Sequence, residues 1–263
     1  MTIGYRSCEP SDAVLERDAS VPMTFVRLPK ATFYMGWNGT PGSARRTDIE
    51  EDFEIAVHHV TQGQWQAVMG ENPSYFSRHG SGRGNVVEVT DEELKLLPVE
   101  NVSWDEVQEF IRKLNERERA SGYWYRLPTE KEWEYACRGG ATSEEECSHL
   151  YYFDKPTDDL SSEQANFNGN FPGGKAARGK CLGRTTRVGA YPPNKLGICD
   201  MNGNVWHWCA NLKDPDSNGS TERAWRGGSW NDFGPNCHAA DRNGAEPTHR
   251  GNDLGFRLVR VLR

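Results

Sequence analysis

The sequence predicts one loop-rich domain of short helices and short strands, pinned on aromatic side chains rather than built on a large regular sheet. Three observations point there. Helical periodicity is confined to three short stretches, each with its own start signal. The apolar pieces elsewhere are brief and separated by Gly, Asn and Pro turns. The chain also carries 27 glycines and 9 tryptophans, a composition suited to loops fixed onto bulky pegs.

Taken in order, residues 1–21 read as an N-terminal strap or disordered segment, and the domain runs from 22 to 263. Phe25–Leu28 and Thr32–Met35 read as paired strands around Pro29-Lys30. Thr61 caps a helix over Gln62–Met69 that Gly70 ends. Ser103 with Glu106 forms a capping box, and Val107, Phe110, Ile111 and Leu114 recur at helical spacing up to about Ala120. Thr129 with Glu132 forms another, opening a helix that turns Trp133, Ala136 and Cys137 inward and stops at Gly139-Gly140. The polar stretches His79–Glu93 and Ala141–Gln164 read as long loops. From Asn166 onward only short apolar pieces remain, among them Val205–Cys209 and Phe256–Leu262.

Bulk properties exclude several classes. A chain of 263 residues with 26% charged and 36% apolar content is neither disordered nor membrane-embedded. Its net charge of −7 argues against nucleic acid as a partner, because phosphate binding needs a basic face. The C-terminal arginines read as loop-pinning groups rather than as a phosphate track. Without an apolar leader the default location is cytoplasmic, with surface display left open. The seven cysteines are widely and irregularly spaced without a CxxC, so buried reduced thiols are expected rather than a zinc or redox site.

Several motifs then appear in one order. They are Phe33-Tyr34-Met35-Gly36, His59-Val60-Thr61-Gln62-Gly63-Gln64-Trp65 and Leu97-Pro98-Val99-Glu100-Asn101-Val102-Ser103-Trp104. After them come Tyr125-Arg126-Leu127-Pro128-Thr129-Glu130, Asn202-Gly203-Asn204-Val205-Trp206, Arg226-Gly227-Gly228-Ser229-Trp230 and Gly255-Phe256-Arg257-Leu258. Together they resemble the formylglycine-generating-enzyme (sulfatase-modifying factor) domain, a variant of the C-type lectin fold. The resemblance implies an α+β, loop-rich domain with short antiparallel strands and about three helices, closed by Phe256–Leu262 pairing near the N-terminal strand.

Enzymes of that family carry a copper-binding cysteine pair after the Gly-Gly-Ser motif, since thiolates suit Cu(I). Here the resemblance puts Ser229 or a neighbour, and Gly234, at those places, leaving Cys237 where non-enzymatic relatives carry a buried cysteine. No catalytic residue is therefore expected. Related iron-dependent sulfoxide synthases need a histidine triad, yet adjacent His58 and His59 would point to opposite faces of a strand. His207, where the family usually has Glu, reads as a surface or satisfied histidine. That change weakens the calcium site family members build near this turn, to which Asn166 and Asn204 remain candidate contributors. No other cofactor is expected.

The stretch 225–258 has a narrower resemblance, to the variable region of proteins diversified by retroelements. Arg226–Trp230, Asn236-Cys237, Ala239-Ala240, Arg242, Pro247, Arg250 and Leu254–Leu258 keep that frame. Between its members lie Asn231, Asp232, Phe233, His238, Asp241, Asn243, Gly244, Ala245, Glu246, His249, Gly251, Asn252 and Asp253. Adenine-directed change of an AAC or AAT codon reaches every one of these residue types except Glu. The resemblance implies a non-catalytic protein whose interleaved side chains point to solvent and bind a protein or other macromolecular ligand. The alternatives are a divergent oxidoreductase of the family and an accessory domain without a specific ligand, the latter requiring these side chains to be buried.

Overall fold

The computed structural model of the chain describes residues 23–217 and 219–263; the strap expected over 1–21 and Cys8 lie outside the described residues. Among the described residues there are four α-helices: α1 (Gln62–Met69), α2 (Asp91–Lys95), α3 (Trp104–Arg117) and α4 (Glu130–Cys137). All four open on a complete capping box, from Thr61, Thr90, Ser103 and Thr129 respectively. Each box satisfies two of the backbone N–H groups that a helix start leaves unpaired.

Against the expected three or so, one further short helix, α2, is present among the described residues. The stretch expected to be a long loop, 79–93, contains a 3₁₀ turn at Arg83–Val86 and the beginning of α2. Five residues are too few to show an apolar period, so only Thr90-x-x-Glu93 announces α2. Tertiary packing holds it in place, since Leu94 and Leu97 cluster with Phe76, Val86 and Val89. Helix α3 ends at Arg117, short of Ala120, with Glu118 at its cap.

The described residues also form ten strands: β1 (Phe25–Leu28), β2 (Ala31–Met35), β3 (Arg45–Ile49), β4 (Phe53–Ala56), β5 (Tyr123–Arg126), β6 (Trp206–Leu212), β7 (Arg223–Arg226), β8 (Arg242–Ala245), β9 (Leu254–Gly255) and β10 (Val259–Leu262). They form two four-stranded sheets, ordered β1-β4-β10-β5 and β8-β7-β6-β9, and the hairpin β2-β3. β1 and β2 do not pair with each other: β1 runs against β4 and β2 against β3. Pro29-Lys30 therefore passes the chain from one sheet to another instead of turning a hairpin. The last strand lies between β4 and β5, one strand from β1, and closes the domain. The architecture is mixed α+β and loop-rich, with short, mostly antiparallel strands.

Aromatic pegs fill the core. Trp65, Trp133 and Trp208 are wholly buried, and Trp65 stacks on Phe110 with centroids 5.2 Å apart. Beside them sits a buried ionic cluster in which Glu134 accepts from Arg138 and Arg226, all three removed from water. Burial pushes the Glu134 carboxyl up, but Arg226 and Arg138 more than offset this and hold it below its ordinary value. The cluster joins α4 to the end of β7, which leads into the C-terminal cassette. Among the described residues no helix is long and apolar enough to cross a membrane.

Candidate functional site

The frame of the cassette is built from groups that have no freedom to move. Gly227 and Gly228 both take left-handed backbone, φ +106 and +74. A Cβ on Gly228 would come within 2.5 Å of Cys237 Sγ, so only glycine lets the two segments approach. Arg226 also donates to Ala239 O at 2.9 Å. Arg242 grips Glu130 with two bonds of 2.9 and 2.8 Å, and Arg250 reaches Glu106 on α3. Arg257, wholly buried, donates to the carbonyls of Ala56, Val57 and Cys199. These arginines pin loops by multiple charge-assisted bonds.

Against that frame, none of the thirteen interleaved residues is buried; each is half-exposed or exposed. Five of them, Asp232, Asp241, Asn243, His249 and Asp253, line one cavity of about 370 Å³. Its remaining walls are Trp206, Trp225, Asn236, Arg242 and Leu254, from β6, β7, the 3₁₀ turn Gly234–Cys237, β8 and β9. Trp206 Nε1 donates to Asp232 at 2.8 Å and Ser229 donates to the same carboxylate. His249 lies over Trp225 with centroids 5.6 Å apart. Burial raises the carboxyls of Asp232, Asp241 and Asp253, that of Asp241 to about 6.

The other eight lie outside that cavity. Phe233 stacks on Phe171 at 4.2 Å, both rings about half exposed at 47%. Gly244 and Ala245 belong to β8, an edge strand bonded only to β7. Glu246 accepts from Thr221, while Asn231 is simply exposed. Backbone carbonyls of Gly251 and Asn252 accept from Asn101 and Trp230, which fixes the loop. His238 is half-buried, accepts from Ala240 N and is pushed down to about 4 by burial.

Trp206 is the wall that sequence reasoning passed over. Its signal was the alternation Trp206-His207-Trp208, which sets two indoles on one strand face and the histidine on the other. Both faces are covered, and the histidine face is wholly buried. His207 is wholly buried, accepts from Trp133 Nε1 and meets the ring of His59, so it is a satisfied and not a surface histidine. Burial holds both imidazoles well below their ordinary range and hence neutral.

The metal chemistry of the family does not fit these residues. A Cβ on Gly234 would stand 2.3 Å from Gly173 N, so no cysteine fits there without moving backbone. Ser229 Oγ is bound to Asp232, and burial pushes the Cys237 thiol well above its ordinary value. Calcium fits no better. Asn204 Oδ1 already accepts from Asn166 Nδ2 at 3.1 Å and Thr186 N at 3.0 Å, which turns the pair inward on itself. Among the described residues no group of three or more His, Cys, Asp or Glu could hold a metal ion.

Residues 11–262 match the sequence profile of the sulfatase-modifying factor enzyme 1-like domain. The inactive C-alpha-formylglycine-generating enzyme 2 of Mus musculus is 33% identical, over 80% of this chain and 60% of its own length. The chaperone protein LppX of Paenibacillus barcinonensis is 28% identical over 80% of each. Among solved structures, Treponema denticola variable protein 1 superposes with a TM-score of 0.65 at 26% identity, covering 92% of this chain and 96% of that one. PvdO from Pseudomonas aeruginosa shares the fold, with a TM-score of 0.64, 22% identity and coverage of 90% and 94%. The mouse relative is longer than the part matched here, whereas the Treponema protein is matched almost throughout. On motif order, sheet topology and these matches, the chain belongs to the sulfatase-modifying factor enzyme 1-like domain family.

Proposed function

We propose that the chain is a non-catalytic ligand-binding protein, the variable protein of a diversity-generating retroelement, which presents residues of Asn231–Asp253 to a macromolecular ligand. The burial pattern of the cassette supports this reading: frame residues such as Arg226, Gly228, Cys237 and Phe256 are buried while none of the thirteen interleaved residues is, although Asn236, Arg242 and Arg250 of the frame are exposed as well. A frame held by glycine approaches and buried arginines keeps its shape whichever side chains stand between. Binding then costs little ordering, and exchangeable residues set specificity. The accessory-domain alternative was expected had those side chains proved buried, and none of them is. The displacement of any cysteine at Gly234 by the 172–173 backbone speaks against the copper oxidase reaction.

Deep sequencing of the locus across a population tests the reading. Substitutions are expected to concentrate at adenines in the codons of the interleaved positions. An even spread of substitutions over frame and interleaved codons overturns it. So does oxygen consumption by the copper-loaded chain acting on a cysteine-containing sulfatase peptide.

A further inference from the structure

We propose that the cavity between Trp206 and Trp225 receives a basic side chain, lysine or arginine, of a peptide segment in the ligand. This rests on the ligand-binding reading above and specifies its chemistry. The cavity, about 370 Å³, stands at the small end of ligand clefts, which run from about 300 to 1,000 Å³. It suits one long side chain rather than a helix or strand.

The walls select the charge. Asp232, Asp241 and Asp253 all contribute to the lining, and among the described residues none of them forms an ion pair. Asp232 is held by neutral donors, Ser229 and Trp206. The one cation of the lining, Arg242, is already committed to Glu130 and Asp214. Three partly desolvated carboxylates therefore face one space without a counter-charge. A neutral ligand would bury them further and leave the repulsion in place, whereas an ammonium or guanidinium relieves both. Two indoles, Trp206 and Trp225, stand in the same wall.

A second feature distinguishes a peptide from a bare amine. Trp225 Nε1 is a buried donor with no hydrogen-bond partner among the described residues. Such a donor asks for an acceptor, and a peptide carbonyl next to the basic side chain supplies one.

The test is selection of a phage-displayed random dodecapeptide library on the whole chain. Recovered peptides are then titrated against three proteins: wild type, the double variant D241N/D253N, and Asn243→Trp, which fills the mouth of the cavity. The expected result is enrichment of Lys or Arg at one peptide position. Affinity should fall by about tenfold or more in D241N/D253N and be lost in Asn243→Trp. The double variant keeps side-chain shape and removes two raised carboxylates, so its melting temperature should match or exceed wild type, which verifies folding. Peptides lost in Asn243→Trp but lacking a basic residue, and bound equally by D241N/D253N, overturn the cation assignment and leave the ligand-binding reading standing. Peptides indifferent to Asn243→Trp, or no peptides at all, overturn the cavity as the recognition site.

Discussion

The division of the cassette into frame and display predicts two very different costs of mutation. Consider a fourfold variant with Asn231, Asn243, Glu246 and His249 all changed to Ala. Each of the four is exposed. What they lose is minor: Asn243 accepts from Gly244 N, Glu246 accepts from Thr221, and His249 covers one side of Trp225. Surface changes of this kind usually fall within about ±0.5 kcal/mol each, so the sum stays under about 2 kcal/mol. The comparison is a single change, Arg226→Met. Arg226 is 1% exposed and pairs with a Glu134 that is 0% exposed. Removing one partner of such a pair leaves a buried charge under-compensated and costs about 3–5 kcal/mol. Urea unfolding at pH 7 reads both, provided the m-values agree. If the fourfold variant loses as much stability as Arg226→Met, the division between frame and display is wrong.

Other outcomes follow from single residues. Glu100, wholly buried, accepts from the backbone of Tyr75 and Phe76, yet burial raises its carboxyl from an ordinary 4.5 to about 8. The folded chain then holds a proton that the unfolded chain has released, so stability falls as pH rises towards 8 and levels off above it. Below about 6.5 the buried histidines His58, His59, His207 and His238, all lowered, slope the other way. Between pH 6.5 and 8 wild type should therefore lose about 2 kcal/mol, at roughly 1.4 kcal/mol per unit, and Glu100→Gln should flatten that limb; parallel denaturation curves at the two pH values would contradict it. Gly228→Ala forces a left-handed alanine against Cys237 and should cost about 1–3 kcal/mol or more by thermal unfolding. Phe233→Ser removes one ring of an exposed pair and should cost no more than about 1.5 kcal/mol, measured the same way, while leaving Phe171 more exposed.

Much of the fold was legible because its signals are local. Three of four helix starts announced themselves by a Ser or Thr with Glu or Gln three residues on, and the fourth carried the same box at Thr90 without an apolar period behind it. Strand pairing was less legible. Pro29-Lys30 resembled a hairpin turn between two apolar runs, but partners are chosen by packing across the whole chain, and β4 and β3 took β1 and β2 instead. The exposed residues of the cassette were readable from the frame around them. The cavity was not, because its walls come from β6, β7, β8 and β9, whose meeting is a property of the assembled sheet. His207 was read as a surface or satisfied residue for a similar reason. What decides its place is the neighbours on the second strand face, Trp133 and His59, and neither is near it in sequence.

The ionic cluster around Glu134 sets a limit on portability. The cassette is secured by Arg226 and Arg242, but the carboxylates they grip, Glu130 and Glu134, belong to α4, and a third tie runs from Arg250 to Glu106 on α3. The displayed residues are thus free to be rewritten in place, while the segment as a whole is not a transplantable module. Spliced onto an unrelated carrier, it would bring the keys and leave the locks behind.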